Sequence, residues 1–261
     1  MQKFNSTALL MCIAILWVAN GCTAEHNRNG TLPDEINVAI ELSPLCLDIN
    51  GDTLSGFSFE ILQAWCMAHG EQFELTPFNS IGDAMESNNN DAIKLFIFDV
   101  PATISLRENF ILTAPIYTDK TVLVQSTASE PDSLISSAEE LGGMSVWITN
   151  NSPIRDRLHN LGQEIGDTIY VREVDNYSEE QLILLVAMGK IQRAATSLYT
   201  AQGMAQKFSH LDISINVSFN QFRSWMLHPA DSVLRDSIDS WLSQFSTTDQ
   251  YRELIKKYNL N

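Results

Sequence analysis

Basic residues are scarce in this sequence: 16 Lys and Arg stand against 32 Asp and Glu, a formal net charge of −16. Such a chain repels the phosphates of nucleic acid, so no nucleic-acid partner is expected. The acidic residues are scattered rather than gathered into a tail, the pattern of a solvated surface. Cysteine is rare too, with 4 in the chain. No Cys/His cluster has zinc spacing, and His26, His69, His159, His210 and His228 are isolated from one another, so no metal site is expected. Phosphate-binding glycine loops, dinucleotide fingerprints and nucleophile elbows are missing, and no cofactor and no catalytic centre are expected. Long apolar runs are missing beyond residue 21, which leaves the body of the chain without a candidate membrane span.

The exception is the start. "ALLMCIAILWVA" (8–19) is an apolar run that follows the single charge of Lys3. It is shorter than the roughly 20 residues of a bilayer span and suits the core of a secretory signal, placed at 1–21. "ANGC" resembles a lipobox, in which a cysteine, here Cys22, is lipidated and becomes the new N-terminus; ordinary cleavage nearby is the alternative. The expected location is the periplasm, with the chain held to a membrane by that lipid. Residues 22–35 are polar, contain Asn, Gly and Pro, and read as a tether. In an exported chain Cys46 and Cys66 are free to bridge, but Cys66 falls in an amphipathic helical pattern that equally suits a buried thiol.

From residue 36 onward, apolar runs alternate with helical patterns, and 44% apolar content supports real cores. "INVAIEL", "QFELTPF" and "KLFIFDV" read as strands. "FEILQAWCMAHG" places Phe59, Leu62, Cys66 and Met67 on one helical face and stops at Gly70, and "IGDAMESNNN" is a short helix. Asn50-Gly51 marks a turn. The pattern restarts after about residue 120 with the strands "TVLVQS", "MSVWIT" and "TIYVREV" and the helices "SLISSAEELGG", "PIRDRLHNLGQ" and "SEEQLILLVAMG". "AATSLYTAQGMAQKF" is a strand end plus helix. "SWMLHP" is a strand, and two C-terminal helices follow, the second with Thr247 and Gln250 at capping-box spacing. This order predicts an α/β fold of two lobes, each a mixed, mainly parallel sheet flanked by helices. The lobes are expected at 36–117 and 118–221, with 222–261 returning to complete the first.

Four segments, "INVAIELSPL", "NGDTLSGFSFEIL", "DVPATISLRENFILTAPIYTDKTVLVQ" and "TTDQYRELIKKYN", give the chain a resemblance to the family 3 extracellular solute-binding proteins, with the type II periplasmic-binding fold. Within that family it looks most like the non-catalytic, binding-like domain of membrane-bound lytic murein transglycosylase F. The resemblance implies a ligand cleft between the lobes. Arg107 stands where relatives fork a guanidinium onto a ligand carboxylate, with Thr103 or Ser105 adding a donor; a surface cation is the plain alternative. Asn151 and Ser152 precede a helix start that would receive the same anion, or Ser152 simply caps that helix. Glu41 lies at a strand end that lines the cleft in relatives, or is merely exposed there. Tyr117 begins the crossing between lobes and contacts ligand or packs the hinge.

Two positions depart from the resemblance. Ser197 falls where amino-acid-binding relatives place an aspartate for the ligand ammonium, and Lys94 falls where they commonly have an acid. An ammonium buried without a counter-charge costs several kcal/mol, so a peptide, a muropeptide or a carboxylate ligand fits as well as an amino acid. The transglycosylase's catalytic domain is expected to be absent, because the chain ends directly after the binding-like part. The function implied is solute binding for transport through a membrane permease or for envelope sensing. An accessory, regulatory role in cell-wall metabolism is the alternative, and a small-acid lyase using Glu41 is a weaker one.

Overall fold

The computed structural model describes residues 35–87, 92–128 and 134–260. The signal segment, Cys22 and the tether through residue 34 lie outside the described residues. The chain enters on β1 (Ile36–Glu41), buried along its length apart from half-buried Asn37. The Asn50-Gly51 turn closes a hairpin of β2 (Asp48–Asn50) and β3 (Thr53–Ser55). α1 (Phe57–His69) follows and stops at Gly70. Its buried face carries Phe57, Phe59, Ile61, Leu62, Trp65 and Cys66, while Met67, expected on that face, is 80% exposed. The buried stripe centres on Ile61, Leu62 and Trp65, and at 3.6 residues per turn position 67 falls on the far side. β4 (Phe73–Phe78), α2 (Ile81–Met85), β5 (Leu95–Ile97), α3 (Ile104–Asn109), β6 (Ile111–Leu112) and β7 (Tyr117–Asp119) complete this passage.

The second passage runs through β8 (Thr121–Ser126), β9 (Ser145–Thr149), α4 (Ile154–Ile165), β10 (Tyr170–Val174), α5 (Glu179–Ala187), β11 (Arg193–Ser197), α6 (Leu198–Lys207) and β12 (Leu211–Asp212). The helix expected in "SLISSAEELGG" is a single 3-10 turn, Ala138–Leu141. The Ser136 and Ser137 amides and the Ser136 hydroxyl all donate to Glu140 Oε1. Ser137 and Glu140 form a capping box that opens the turn, and the turn ends at Gly142, whose backbone at φ −53° and ψ 130° has left the helical region. The chain then returns through β13 (Gln221–Arg223), β14 (Met226–Leu227), α7 (Ser232–Phe245) and α8 (Asp249–Lys257). The cap of α8 is Thr248, whose hydroxyl accepts from the Tyr251 amide. Thr247, expected in that role, instead donates its hydroxyl to Gln244 O in the last turn of α7.

Two five-stranded sheets result. The first has the order β4-β1-β5-β14-β6, and the second β10-β9-β11-β8-β12. β1 is parallel to β4 and β5, while β14 inserts antiparallel between β5 and β6. In the second sheet β9 is parallel to β10 and β11, and β8 runs antiparallel. Pro77 lies in β4, at the sheet edge where a missing N–H is tolerated. The chain crosses between the sheets twice, beside a two-stranded ribbon of β7 and β13. Cys46 and Cys66 are both buried and free. Gly56, at φ 136°, leads into α1, and a Cβ there would lie 2.4 Å from Cys46 O. Gly56→Ala is therefore expected to cost about 3 kcal/mol, read as a lower denaturant midpoint at unchanged m.

Candidate functional site

Parallel strands bring their C-terminal ends to one edge of a sheet, and in α/β proteins that edge is where ligands bind. In the first sheet this edge carries Glu41 and, two residues past β5, Asp99. In the second it carries Asn150 and Asn151 after β9 and Ser197 at the end of β11. The two edges face one another beside the β7–β13 ribbon.

The floor of this cleft is a buried, predominantly acidic cluster. Arg223, on β13, donates from Nε to Asp99 Oδ1 at 2.8 Å, and its Nη2 lies 3.9 Å from Asp119 Oδ2. Tyr117 donates its hydroxyl to the same Asp99 oxygen at 2.7 Å. Glu41 accepts from the Asp99 amide at 2.8 Å and lies 3.7 Å from the Cys46 thiol. From the opposite lobe Glu179, half-buried at the start of α5, accepts from the Ser197 amide at 3.0 Å. Asp99 and Asp119 thus pair with the one guanidinium, while Glu41 and Glu179 feel its charge only from a greater distance. Burial lowers the hold of Arg223 on its proton, but its acidic neighbours, Asp99 above all, outweigh this and raise the group above its ordinary value. The acids are pushed the other way. Burial, reinforced by Asp99, raises Glu41 to about 7 and Asp119 to about 6. Burial, then Glu41 and Asp99, raises Glu179 well above the usual carboxylate range. Within the cluster Asp99 Oδ2 and Arg223 Nη1 are buried without a hydrogen-bond partner.

Away from the ribbon the lobes touch directly. Ser105 donates to Asp156 Oδ2 at 2.5 Å, Asn150 and Asn151 donate to Glu86 Oε1, and the Asn176 amide donates to Asp83 Oδ1. A cavity of about 200 Å³ lies behind this rim, lined by Met85, Ser105, Asn109, Asn151, Ser152 and Asp156. Gly82 makes the closest approach: a Cβ there would meet Asn150 O at 2.6 Å. Gly82→Ala is expected to wedge the lobes apart. Small-angle scattering should show a larger radius of gyration with the unfolding midpoint little changed.

The expected site residues are distributed as follows. Glu41 and Tyr117 are buried in the acidic cluster, and Tyr117 also packs edge-on against Phe57. Ser197 caps α6 and presents its amide to Glu179. Thr103 caps α3, and its hydroxyl lies 2.9 Å from that of Ser105. Ser152 is buried, with its Oγ accepting from the Ile154 amide at 3.4 Å, and so serves the start of α4. Asn151 adopts φ 53°, the left-handed conformation that Asn tolerates and glycine often fills. Arg107 differs most from expectation. It is exposed, and no ion pair involves it among the described residues. Capping at Thr103 turns Ser105 and Asn109 toward the inter-lobe cavity, and Arg107, two positions on from Ser105, points about 200° round the helix. The arginine inside the cleft is Arg223. Lys94 sits at the N-terminal end of β5 on Asp231, 3.3 Å away, so Asp99 supplies the acid at the cleft end of that strand. Glu179 is the carboxylate that meets Ser197, accepting its amide.

Sequence reasoning missed Asp99, Asp119, Glu179 and Arg223. The signal for Asp99 was present: an acid directly after the apolar run "KLFIF", at a strand's C-terminal end. Arg223 in "FNQFRSWML" was a cation among aromatics in a base-poor chain. Glu179 was visible only as the residue after Ser178, whose capping box with Gln181 fixes this helix start.

Two mixed sheets facing across a cleft, joined by crossing strands and completed by a returning C-terminal segment, define a type II periplasmic-binding fold. The chain belongs to the bacterial extracellular solute-binding proteins, family 3, whose profile matches residues 36–261. A membrane-bound lytic murein transglycosylase F of Shewanella loihica is 22% identical over 240 residues, covering 89% of this chain and 49% of that protein. The chain thus spans about half the length of that relative. An ancestral arginine-binding protein bound to arginine superposes with a TM-score of 0.72 at 15% identity, covering 87% of this chain and 98% of that one. The amino acid ABC transporter substrate-binding protein AbpA of Streptococcus pneumoniae, bound to L-arginine, gives 0.68 at 16% identity, covering 86% of this chain and 94% of that one. At such identities the likeness is one of fold.

Proposed function

We propose that the chain captures a small solute bearing an ammonium or guanidinium group and closes its two lobes on it. The observation that carries this reading is a charge imbalance: Arg223 pairs with Asp99 and Asp119, and Glu41 and Glu179 stand in the same electrostatic cluster with no cation paired to them among the described residues. A cation is the partner that relieves buried carboxylates in low dielectric. Asp99 Oδ2 would take a donor from the solute, and Arg223 Nη1 would serve an acceptor such as its carboxylate. The reading agrees with structural neighbours named for arginine. In this proposal Arg107 is not the anion clamp. Closure follows from acids on both lobes, Glu41 and Asp99 on one and Glu179 on the other.

The protein would work in the periplasm as a lipoprotein anchored through Cys22 and pass its solute to a membrane permease. The "ANGC" segment after an apolar run supports the anchor. Intact-mass measurement tests it: acyl mass carried by a Cys22→Ala protein would contradict it. Similarity to transglycosylase F favours a second reading, an accessory protein of cell-wall metabolism whose cleft takes a muropeptide or is vestigial.

A thermal-shift screen of the mature chain at neutral pH separates these readings. Stabilisation by basic amino acids or amines, and not by acidic ones, supports the proposal. Stabilisation by muropeptides alone favours the accessory role, and stabilisation by dicarboxylates that is lost in Arg107→Ala would overturn the proposal.

A further inference from the structure

We infer that solute capture is proton-coupled: the cleft carboxyls hold protons while no cation is present and release them to water when the solute's cationic group arrives. The inference rests on the cation-binding reading above and adds to it a direction of pH control.

The groups that face one another come from every element around the floor. They are Glu41 at the end of β1, Cys46 on the following loop, Asp99 after β5, Tyr117 and Asp119 on β7, Glu179 on α5, Tyr199 on α6 and Arg223 on β13. Arg223 is the one cation among them. It is engaged by Asp99 at 2.8 Å and by Asp119 at 3.9 Å, with side-chain exposures of 1%, 3% and 8%. Among the described residues Glu41 and Glu179 have no cation within ion-pair distance: Glu41 accepts from the Asp99 amide and the Cys46 thiol, and Glu179 from the Ser197 amide. Separately from the charge count, Asp99 Oδ2 is buried within the cluster with no donor, an acceptor left open. Without a bound cation, ionising the whole cluster would bury three uncompensated negative charges, each at a cost of several kcal/mol. Protons are the available neutraliser, and the upward shifts of Glu41, Asp119 and Glu179 run in that direction.

An arriving ammonium or guanidinium reverses the balance. Each carboxyl that ionises gives its proton to water, and the charge it gains pairs with the solute, so no other reactant is needed. Linkage then fixes the sign. If binding releases one proton, affinity weakens about tenfold for each unit that pH falls below the carboxyl's value in the empty cleft. The solute is held tightly near neutrality and released toward pH 5.

Isothermal titration of the mature protein with L-arginine, and with agmatine, which lacks the carboxylate, tests the inference. Titrations near neutral pH in phosphate and in imidazole, whose ionisation heats differ, give the number of protons released. The expected result is about one proton released per solute and a roughly tenfold weaker affinity one pH unit lower. Binding with no buffer-dependent heat and a flat pH profile overturns the inference while leaving cation capture standing. Failure of both probes to bind overturns capture of this solute class and the inference with it. A ligand-free measurement is independent of the probe: carboxyl-carbon NMR of Glu-labelled protein should show two resonances titrating above the ordinary glutamate range, lost singly in Glu41→Gln and Glu179→Gln. Titration of every glutamate near its ordinary value contradicts the inference.

Discussion

Arg223→Met is expected to destabilise the protein by roughly 3–5 kcal/mol at pH 8, the cost of removing one partner from a buried ion pair. The residue is 1% exposed and holds the carboxylates of Asp99 and Asp119 from the strand that pairs with β7. Its loss leaves those carboxylates, with Glu41 and Glu179, buried without a counter-charge. The damage should depend on pH in a definite sense. Without Arg223 the folded-state carboxyls bind protons more tightly than the unfolded chain does, so stability lost at pH 8 returns as pH falls. Denaturant midpoints of wild type and variant should converge toward pH 5. A deficit of equal size at both pH values would assign Arg223 a packing role instead.

Glu41→Gln is expected to act in the opposite direction on stability and to harm binding. The Glu41 carboxyl is raised from its ordinary value near 4.5 to about 7, chiefly by burial. A carboxyl whose folded value lies above its unfolded one favours the fold fully at low pH, and that contribution is lost as pH rises through 7. A shift of this size corresponds to about 3 kcal/mol of strain on the ionised form at pH 8. Glutamine keeps an oxygen for the Asp99 amide and removes the charge. The ligand-free variant should therefore melt several degrees higher than wild type at pH 8, with little difference at pH 5. Solute affinity should fall by tenfold or more, since half of the first lobe's charge toward the solute is gone. A variant that is less stable at pH 8 would show that Glu41 serves structure rather than the cleft. Residues whose neutralisation stabilises the empty protein are those held in place for binding.

The two-lobe organisation was legible because apolar runs and helical stripes alternate with clear turn signals, and nearly every strand and helix appears where these place it. The failures were local competitions. One expected helix ends after a single turn at Gly142, and Met67 falls on the far side of the buried stripe of α1. The cleft was only half legible. Glu41 and Tyr117 could be placed because they end and begin strands along the chain itself. The Arg223–Asp99 pair joins residues 124 positions apart, and no local pattern announces such a meeting. Glu179 was hidden because its carboxylate reaches Ser197 from a neighbouring helix start, whereas the sequence comparison looked for an acid at residue 197 itself. Arg107 lies in the segment that the resemblance picks out, with a helical phase that turns it away from the inter-lobe cavity.

The most direct test of an acidic cleft that captures a cation is a comparison of solute charge by equilibrium dialysis at neutral pH, using radiolabelled L-arginine and L-glutamate with wild type, Glu179→Gln and Arg107→Ala. L-arginine should be retained by wild type and by Arg107→Ala, lost in Glu179→Gln, and L-glutamate should be retained by none. Retention of L-glutamate that depends on Arg107 would contradict the account.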